Sequence, residues 1–230
     1  MAEPHQLILD LGFRAALGAE DFLVGRSNEA AVALIDSWPD WPASAALVVG
    51  PQRSGKTHLA HVWQHRSHAH FIQAHELSEE RIGNLMTAGA NIVVEDIDQG
   101  IGYEAGLFHI LNLARESLSS VLMTSTLAAG DLTIALPDLR SRLRAAVMVE
   151  IAPPDDGLLG AVLVKHFADR QLLVEPAVIA YLVDHMERSL AAAAALVEDI
   201  DRRALASRRK VTRTLAGEVL VARSHGGTQT

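Results

Sequence analysis

The chain has 230 residues, of which 49% are hydrophobic, so it can bury a full core and a smaller second domain. It contains no cysteine, which excludes disulfides and thiolate metal sites, and its net charge of −8 argues against broad binding to nucleic-acid backbones. No apolar run is long enough to span a bilayer and the N-terminus lacks a signal-peptide pattern, so we expect a cytoplasmic protein.

The first apolar segment is QLILDLGF, residues 6–13, in which alternate residues are apolar. This alternation predicts an extended strand at a chain end, where order usually depends on a contact. An extended apolar arm led by a glutamine favours a short linear motif that docks on a partner. The alternative is an edge strand folded back onto its own domain. The docking residues would be Gln6, Leu7, Leu9, Leu11 and Phe13.

The stretch LVVGPQRSGKT, residues 47–57, predicts a phosphate-binding loop. Its apolar start predicts a buried parallel strand, and the rest fits G-x-x-x-x-G-K-[ST] at every fixed position. In this pattern the glycines let backbone N–H groups face a phosphate chain, Lys56 reaches the β- and γ-phosphates, and the Thr57 hydroxyl can ligate Mg²⁺. The loop comprises Gly50, Pro51, Gln52, Arg53, Ser54, Gly55, Lys56 and Thr57.

A helix is predicted from Lys56 to about His65, followed by a short strand at 71–73. His61 and His65 share one face of this helix and could in principle hold a metal ion. Because no carboxylate occupies a matching position, we favour surface or core histidines.

The segment NIVVEDID, residues 91–98, predicts a second buried strand that ends in carboxylates. Open α/β sheets bind ligands at the carboxyl ends of their strands. Behind a phosphate-binding loop, Glu95 and Asp96 therefore predict a Walker B pair, in which one acid holds Mg²⁺ and the other orients the attacking water. Glu95 is at the metal-side position, so the expected Mg²⁺ ligands are Thr57 and Glu95. Such motifs usually carry aspartate there, and the longer side chain moves the carboxylate outward by about one methylene.

A helix at about 103–117 and a strand at 121–125 come next, and the strand ends in Thr124, Ser125 and Thr126. A polar residue here either reads the γ-phosphate or is a plain strand terminus. The helix of LPDLRSRLR then carries Arg140, Arg142 and Arg144. Either these arginines form a solvated basic face, or one of them is an arginine finger for a neighbouring subunit.

From Asp155 onward the sequence predicts helices only, at about 155–170, 176–185, 190–207 and 212–222. Asp155 and Ser189 are predicted N-caps, and Pro176 opens the second helix. Arg188 either swings towards the nucleotide phosphates or is favoured by the dipole of the preceding helix. The basic stretch at 202–213 lacks aromatic residues, so we interpret it as a solvated face.

Six segments of the chain, in this order, resemble the AAA+ domain of the bacterial replication initiator DnaA. They are FLVGRSN, GPQRSGKTHLA, VVEDID, LMTST, LRSRL and the helical end. The resemblance begins near Asp21, and the initiator's helix-turn-helix domain has no counterpart. The arm is similar to the Q-L-x-L-x-L peptide that docks on the β sliding clamp of DNA polymerase. Together these features resemble the Hda family, the regulatory inactivators of the initiator.

The resemblance implies the following roles. Lys56 and Thr57 bind phosphates and Mg²⁺, and Glu95 and Asp96 form the Walker B pair. Thr126 lies at sensor 1, where the initiator usually has an acid, which with Glu95 implies a weak ATPase that holds ADP or ATP. Arg142 matches the arginine finger and Arg188 the sensor 2 arginine. Phe22 and Val24, within 22–28, would lie along the adenine.

We therefore expect an α/β AAA+ three-layer sandwich with a parallel sheet (19–153), an N-terminal clamp-binding arm (1–18) and a helical lid (154–230). The expected function is to make the ATP-bound initiator hydrolyse its nucleotide while the protein sits on the clamp. Direct sequence-specific DNA binding and membrane association are not expected, whereas a homo-oligomer is compatible with the sequence. The alternatives are a helicase- or clamp-loader-type ATPase and a P-loop kinase, although a kinase should carry a basic substrate lid between its strands.

Overall fold

The structure, a computed structural model, describes residues 14–16, 19–85 and 90–226. The strands are β1 (Arg14–Ala16), β2 (Ala19–Val24), β3 (Ala45–Val49), β4 (His70–Gln73), β5 (Ile92–Glu95), β6 (Val121–Ser125) and β7 (Val147–Glu150). The helices are α1 (Glu29–Asp36), α2 (Lys56–Ser67), α3 (Glu79–Leu85), α4 (Glu104–Glu116), α5 (Pro137–Ala145), α6 (Asp156–Asp169), α7 (Pro176–His185), α8 (Leu190–Ser207) and α9 (Arg213–Gly226). Two 3₁₀ turns lie at Ala74–Glu76 and Ile97–Gln99.

Strands β3 to β7 form one parallel sheet in the order β4-β5-β6-β3-β7. The central strands β3, β5 and β6 are buried along their whole length, whereas the edge strands β4 and β7 are partly exposed. This distribution explains the sequence pattern, because a strand covered on both faces needs a continuous apolar run. Since all five strands are parallel, the segments that follow β3, β5 and β6 meet at the same edge of the sheet.

The sheet is the middle layer of three. Alternate residues of its strands, among them Leu47, Val94 and Met123, pack into one core with buried residues of α3, α4 and α5. Helices α1 and α2 contact each other and cover the strands as well, α1 at β7 and α2 at β5 and β6. The predicted α/β three-layer architecture with a parallel sheet is therefore confirmed.

The chain divides into two compact units, and the sheet unit comprises residues 16–22 and 26–154. The second unit is made mainly of residues from 155 onward, where α6 to α9 surround their own apolar core. Leu23 packs against this helical core as well. Two of its helices are capped as predicted: Leu158 N donates to Asp155 Oδ1 (2.7 Å), and Ala192 N donates to Ser189 Oγ (3.0 Å).

Among the described residues, none of the helices combines the length and the apolar character that a membrane span requires. The predicted arm at 6–13 lies outside the described residues.

Candidate functional site

The phosphate-binding loop joins β3 to α2, and its glycines meet specific constraints. Gly50 donates its N–H to Ser125 O (3.1 Å), which ties the start of the loop to the end of β6. A Cβ at Gly50 would lie 2.6 Å from Ile151 O. Gly55 has a φ of 105°, in the left-handed region that glycine adopts without strain, and it begins helix α2. The N-terminus of α2 therefore opens towards the loop, as an anion site requires.

Lys56 is folded back onto its own loop. Its Nζ donates to Gly50 O (2.8 Å) and Pro51 O (2.9 Å), and the residue is only 6% exposed. Burial lowers the pKa of Lys56, although Asp96, Asp98 and Glu95 act in the opposite direction. Two carbonyl oxygens of the loop thus hold the ammonium, and its N–H donors are ones that a phosphate oxygen can also accept.

Glu95 and Asp96 lie in different surroundings despite being adjacent. Glu95, the last residue of β5, is 3% exposed, and its Oε2 accepts a hydrogen bond from Gln73 Nε2 (2.8 Å) on β4. Its Oε1 is buried and has no hydrogen-bond partner within the described part of the chain. A buried carboxylate oxygen without a donor suits an interaction with a cation or with a water molecule bound to one.

Asp96 begins the turn after β5 and has left-handed backbone geometry, with a φ of 56°. Its N–H donates to Thr124 Oγ1 (2.9 Å), which fixes this conformation against the neighbouring strand. Burial raises the pKa of Asp96, and the charges of Glu95 and Asp98 raise it further, while Lys56 acts in the opposite direction. Among the carboxylates, the charge of Asp96 has the largest effect on the pKa of Lys56.

Sequence reasoning gave no role to Asp98, which the structure brings into the site. The 3₁₀ turn at Ile97–Gln99 points this carboxylate at Thr126, whose N–H (3.0 Å) and Oγ1 (2.5 Å) both donate to it. Burial by itself would raise the pKa of Asp98, but these hydrogen bonds outweigh it and lower the pKa. The available sequence signal was a third acid in NIVVEDID, two residues after Asp96.

The donor set at this edge of the sheet fits a magnesium ion. Thr57 is exposed at the first turn of α2, and Glu95 offers the unpartnered buried oxygen. Asp96 adds a carboxylate whose pKa is raised by burial and by the charges of Glu95 and Asp98. Oxygen ligands of this kind are those that Mg²⁺ prefers.

Arg142 lies on α5, in a cleft of about 410 Å³ that it shares with residues of α4, including His109, Asn112 and Arg115. Leu139 and Leu143 anchor α5 in the core, and Glu104 accepts hydrogen bonds from Ala135 N (2.9 Å) and Leu136 N (2.6 Å) just before the helix. The lining of this cleft includes no residue of the phosphate-binding loop or of segment 95–98.

The arginines around this position differ in exposure. Arg142 is half-buried, whereas Arg140 and Arg144 are exposed. Within the described part of the chain, the Arg142 guanidinium makes no hydrogen bond or ion pair. The permanently charged, planar guanidinium of Arg142 can thus bind an anionic group of another molecule in this polar cleft.

The remaining predicted site residues lie as follows. Arg188 forms an ion pair with Asp156 Oδ1 (2.6 Å), both in the helical unit. Phe22 belongs to β2, and Val24, at the end of the same strand, is buried. The clamp-binding residues of 6–13 are outside the described part of the chain.

The histidines of α2 belong to no metal-binding cluster among the described residues. Among the described residues, no group of three or more histidine, aspartate or glutamate side chains is arranged to hold a metal ion. His61 stacks on Phe71 with a ring-centroid distance of 4.6 Å, and its Nδ1 lies 3.0 Å from Gln64 Oε1. His61 is exposed, so these contacts lie at the surface of α2.

Comparison with known proteins finds similarity to a lid-domain family, to a curated relative and to solved structures. Residues 156–220 match the family model of the Hda lid domain. The chain is 24% identical over 196 residues to the chromosomal replication initiator protein DnaA of Cutibacterium acnes, a match that covers 74% of this chain and 39% of that protein. The chain thus spans well under half the length of this curated relative.

Two solved structures are similar in fold. Domain III of the Thermotoga maritima replication initiation protein DnaA superimposes with a TM-score of 0.74 at 17% identity, covering 88% of this chain and 95% of that one. The AMPPCP-bound DnaA of Aquifex aeolicus gives a TM-score of 0.68 at 17% identity, covering 80% and 64% of the two chains.

Proposed function

We propose that this chain, an Hda/DnaA-like AAA+ protein related to replication initiation, is a negative regulator that makes a DnaA-type initiator hydrolyse its bound ATP. In this proposal the protein holds its own adenine nucleotide, docks on the β sliding clamp through residues 6–13, and presents Arg142 to the initiator's nucleotide. The Hda-type lid supports the regulatory role. The arm supports the clamp as a partner because its glutamine and alternating leucines suit an extended docking motif.

The observation that carries the proposal is the position of Arg142. It lies in a polar cleft lined by α4 residues rather than by its own phosphate-binding loop, and it has no partner within the described part of the chain. Glu104 and the buried leucines of α5 hold the helix that presents it. A guanidinium placed in this way suits the γ-phosphate of a nucleotide on another subunit, where such a finger is worth roughly 10³–10⁵ in rate.

The protein's own nucleotide would be held by the backbone of 50–57 and by Lys56. Thr57 and Glu95 would hold Mg²⁺, Asp96 would orient the attacking water, and the ion would neutralise charge on the phosphate oxygens. In this arrangement Glu95 takes the metal side, because its Oε2 is held by Gln73 while its buried Oε1 has no hydrogen-bond partner within the described part of the chain.

The experiment combines clamp-loaded DNA, ATP-bound initiator and each variant, and follows ADP formation on the initiator. Arg142→Ala should bind nucleotide and clamp normally yet leave the initiator's ATP intact. Arg142→Lys should fail nearly as badly because lysine lacks the planar fork. The matched control is Arg140→Ala, which removes an exposed arginine of the same helix. Full stimulation by Arg142→Ala would exclude the trans finger.

The arm is tested separately. Gln6→Ala with Leu7→Ala should abolish clamp binding while the melting temperature and nucleotide affinity stay unchanged. A clear loss of stability in this double variant would instead favour the edge strand.

A helicase- or clamp-loader-type ATPase is the second candidate, because the loop lysine and Asp96 are both placed for the protein's own turnover. Steady-state hydrolysis by the protein alone separates the two functions. Fast turnover favours the ATPase, and near silence favours the regulator.

A further inference from the structure

Asp98 and Thr126 form a hydrogen-bonded pair at the sensor position, and Gln99 Nε2 also donates to Asp98 Oδ2 (3.2 Å). Thr126 follows β6 and has two donors, its N–H and its hydroxyl, and both are directed to the Asp98 carboxylate at 3.0 and 2.5 Å. Neither donor is then directed at a nucleotide. A hydroxyl has a single proton, so Thr126 cannot donate it to a phosphate while it donates to Asp98.

The pair stands beside the phosphate-binding loop. Ser125, the residue before Thr126, accepts the N–H of Gly50 at 3.1 Å, so the end of β6 touches the first residue of the loop. Asp98 is also one of the three carboxylates whose charge acts on Lys56, second only to Asp96. The negative charge of Asp98 therefore acts on the ammonium that would bind the outer phosphates of a nucleotide.

We propose that Asp98 is a resident substitute for a terminal phosphate: it occupies Thr126 and makes the site select a nucleoside diphosphate over a triphosphate. A carboxylate and a phosphoryl group are both anionic acceptors, so the same two donors satisfy either one. A third phosphate would have to displace Asp98 from Thr126 and would also meet its charge. The inference deepens the proposed function and rests on its nucleotide-binding part.

A purely structural role is the competing explanation, since the pair also ties the turn after β5 to the end of β6. Loss of such a tie would weaken both nucleotides alike. A selectivity role changes the ratio of the two affinities. The ratio is therefore the readout that separates the two explanations.

The experiment titrates ADP and a non-hydrolysable ATP analogue, each with Mg²⁺, into the wild type, Asp98→Ala, Asp98→Asn, Thr126→Val and the Asp98→Ala/Thr126→Val double variant. Asp131→Asn controls for net charge because it removes an exposed acid elsewhere in the sheet unit. Asp98→Asn keeps the shape of the side chain, so it remains informative if the alanine variant folds poorly.

Both Asp98 variants should raise the affinity for the triphosphate relative to ADP by roughly tenfold, as expected when one like charge is removed from a partly screened site. Thr126→Val alone should leave the ratio within about twofold, because its hydroxyl is already occupied. In the Asp98→Ala background the same change should lower triphosphate affinity, since the freed hydroxyl then meets the phosphate.

Two results would overturn the inference alone: an unchanged ratio in both Asp98 variants that still bind ADP, or a selective loss of triphosphate binding in Thr126→Val alone. Absence of ADP binding by the wild type would overturn the proposed nucleotide site and this inference with it.

Discussion

Gly50 is confined by atoms of two neighbouring segments. An added Cβ would lie 2.6 Å from Ile151 O and 2.8 Å from Ser54 Oγ, closer than van der Waals contact allows. We expect Gly50→Ala to lower the free energy of unfolding by about 1–3 kcal/mol and to impair nucleotide binding, because the loop must move. Gly130→Ala is the matched control, since no atom lies within 4 Å of its Cβ position. Urea denaturation of the two variants measures the difference, and equal stabilities would contradict the close approach.

The surroundings of Asp96 oppose the negative charge of its carboxylate. Burial and the charges of Glu95 and Asp98 raise its pKa, so the ionised form is less stable in the folded protein than in the unfolded chain. The resulting destabilisation is present above the folded-state pKa and is relieved as the pH falls through it. Asp96→Asn should therefore raise the melting temperature of the nucleotide-free protein near neutral pH, by about 2–4 °C for each 1 kcal/mol relieved.

Calorimetry from neutral to acidic pH tests this expectation for Asp96. The advantage of the asparagine variant should shrink as the pH falls, while Asp131→Asn should follow the wild type throughout. A lower melting temperature of Asp96→Asn near neutral pH would show that the carboxylate is favourably placed without its ligands.

At the scale of single residues, the sequence predicted which residues belong to the site better than it predicted which residues they contact. The loop motif and the acids of 95–98 are visible as letters, but their roles depend on side-chain direction. At the end of β5, the Glu95 carboxylate accepts a hydrogen bond from Gln73 on β4, whereas Asp96 contacts Thr124 on β6 through its backbone N–H. The turn that brings Asp98 to Thr126 depends on contacts across 28 positions of sequence, which no local pattern reports.

Helix α5 is the element on which the proposed chemistry depends, and Glu104 fixes its beginning. Both carboxylate oxygens of Glu104 accept backbone N–H groups just before the helix, at 2.9 and 2.6 Å. Glu104→Ala should cost about 1–2 kcal/mol of stability, because two charge-assisted hydrogen bonds are lost at a partly exposed site. We also expect weaker stimulation of the initiator, since Arg142 is no longer held in place.

Glu80→Ala, which removes an exposed glutamate from the first turn of α3, is the control for Glu104→Ala. Chemical denaturation and the initiator assay are run on both variants. Unchanged stability of Glu104→Ala would show that these hydrogen bonds do not support the helix.

Elements with strong local patterns were predicted most accurately. The strand at Val121–Ser125 and the helices Pro176–His185 and Leu190–Ser207 have the predicted bounds, because continuous apolar runs, an N1 proline and a serine cap mark them. Helix α3 was missed since its seven residues include few apolar positions, and its Ile82 is buried only by packing with the larger core. Strand β2 was missed as well, because DFLVGRSN carries no clear alternation.

At the scale of the whole molecule, the parallel sheet determines which distant segments meet. The loop after β3, the acids after β5 and Thr126 after β6 converge because the order β4-β5-β6-β3-β7 sets these strands side by side. This convergence was predictable from the sequence through the general behaviour of parallel sheets. A ligand that bridges these segments would stabilise the entire folded state rather than one element.

Lys56 provides the test at this scale. A nucleotide that binds only the folded protein stabilises it by about 2.7 kcal/mol at 100 times its Kd. For a chain of this length that corresponds to a rise in melting temperature of roughly 5–10 °C. Lys56→Ala should abolish the rise, because Nζ can no longer exchange its bonds to Gly50 O and Pro51 O for bonds to phosphate. Lys210→Ala, which removes an exposed lysine, should keep it. Melting curves with and without millimolar ADP and Mg²⁺ measure both variants, and an unchanged wild-type curve would exclude a working nucleotide site.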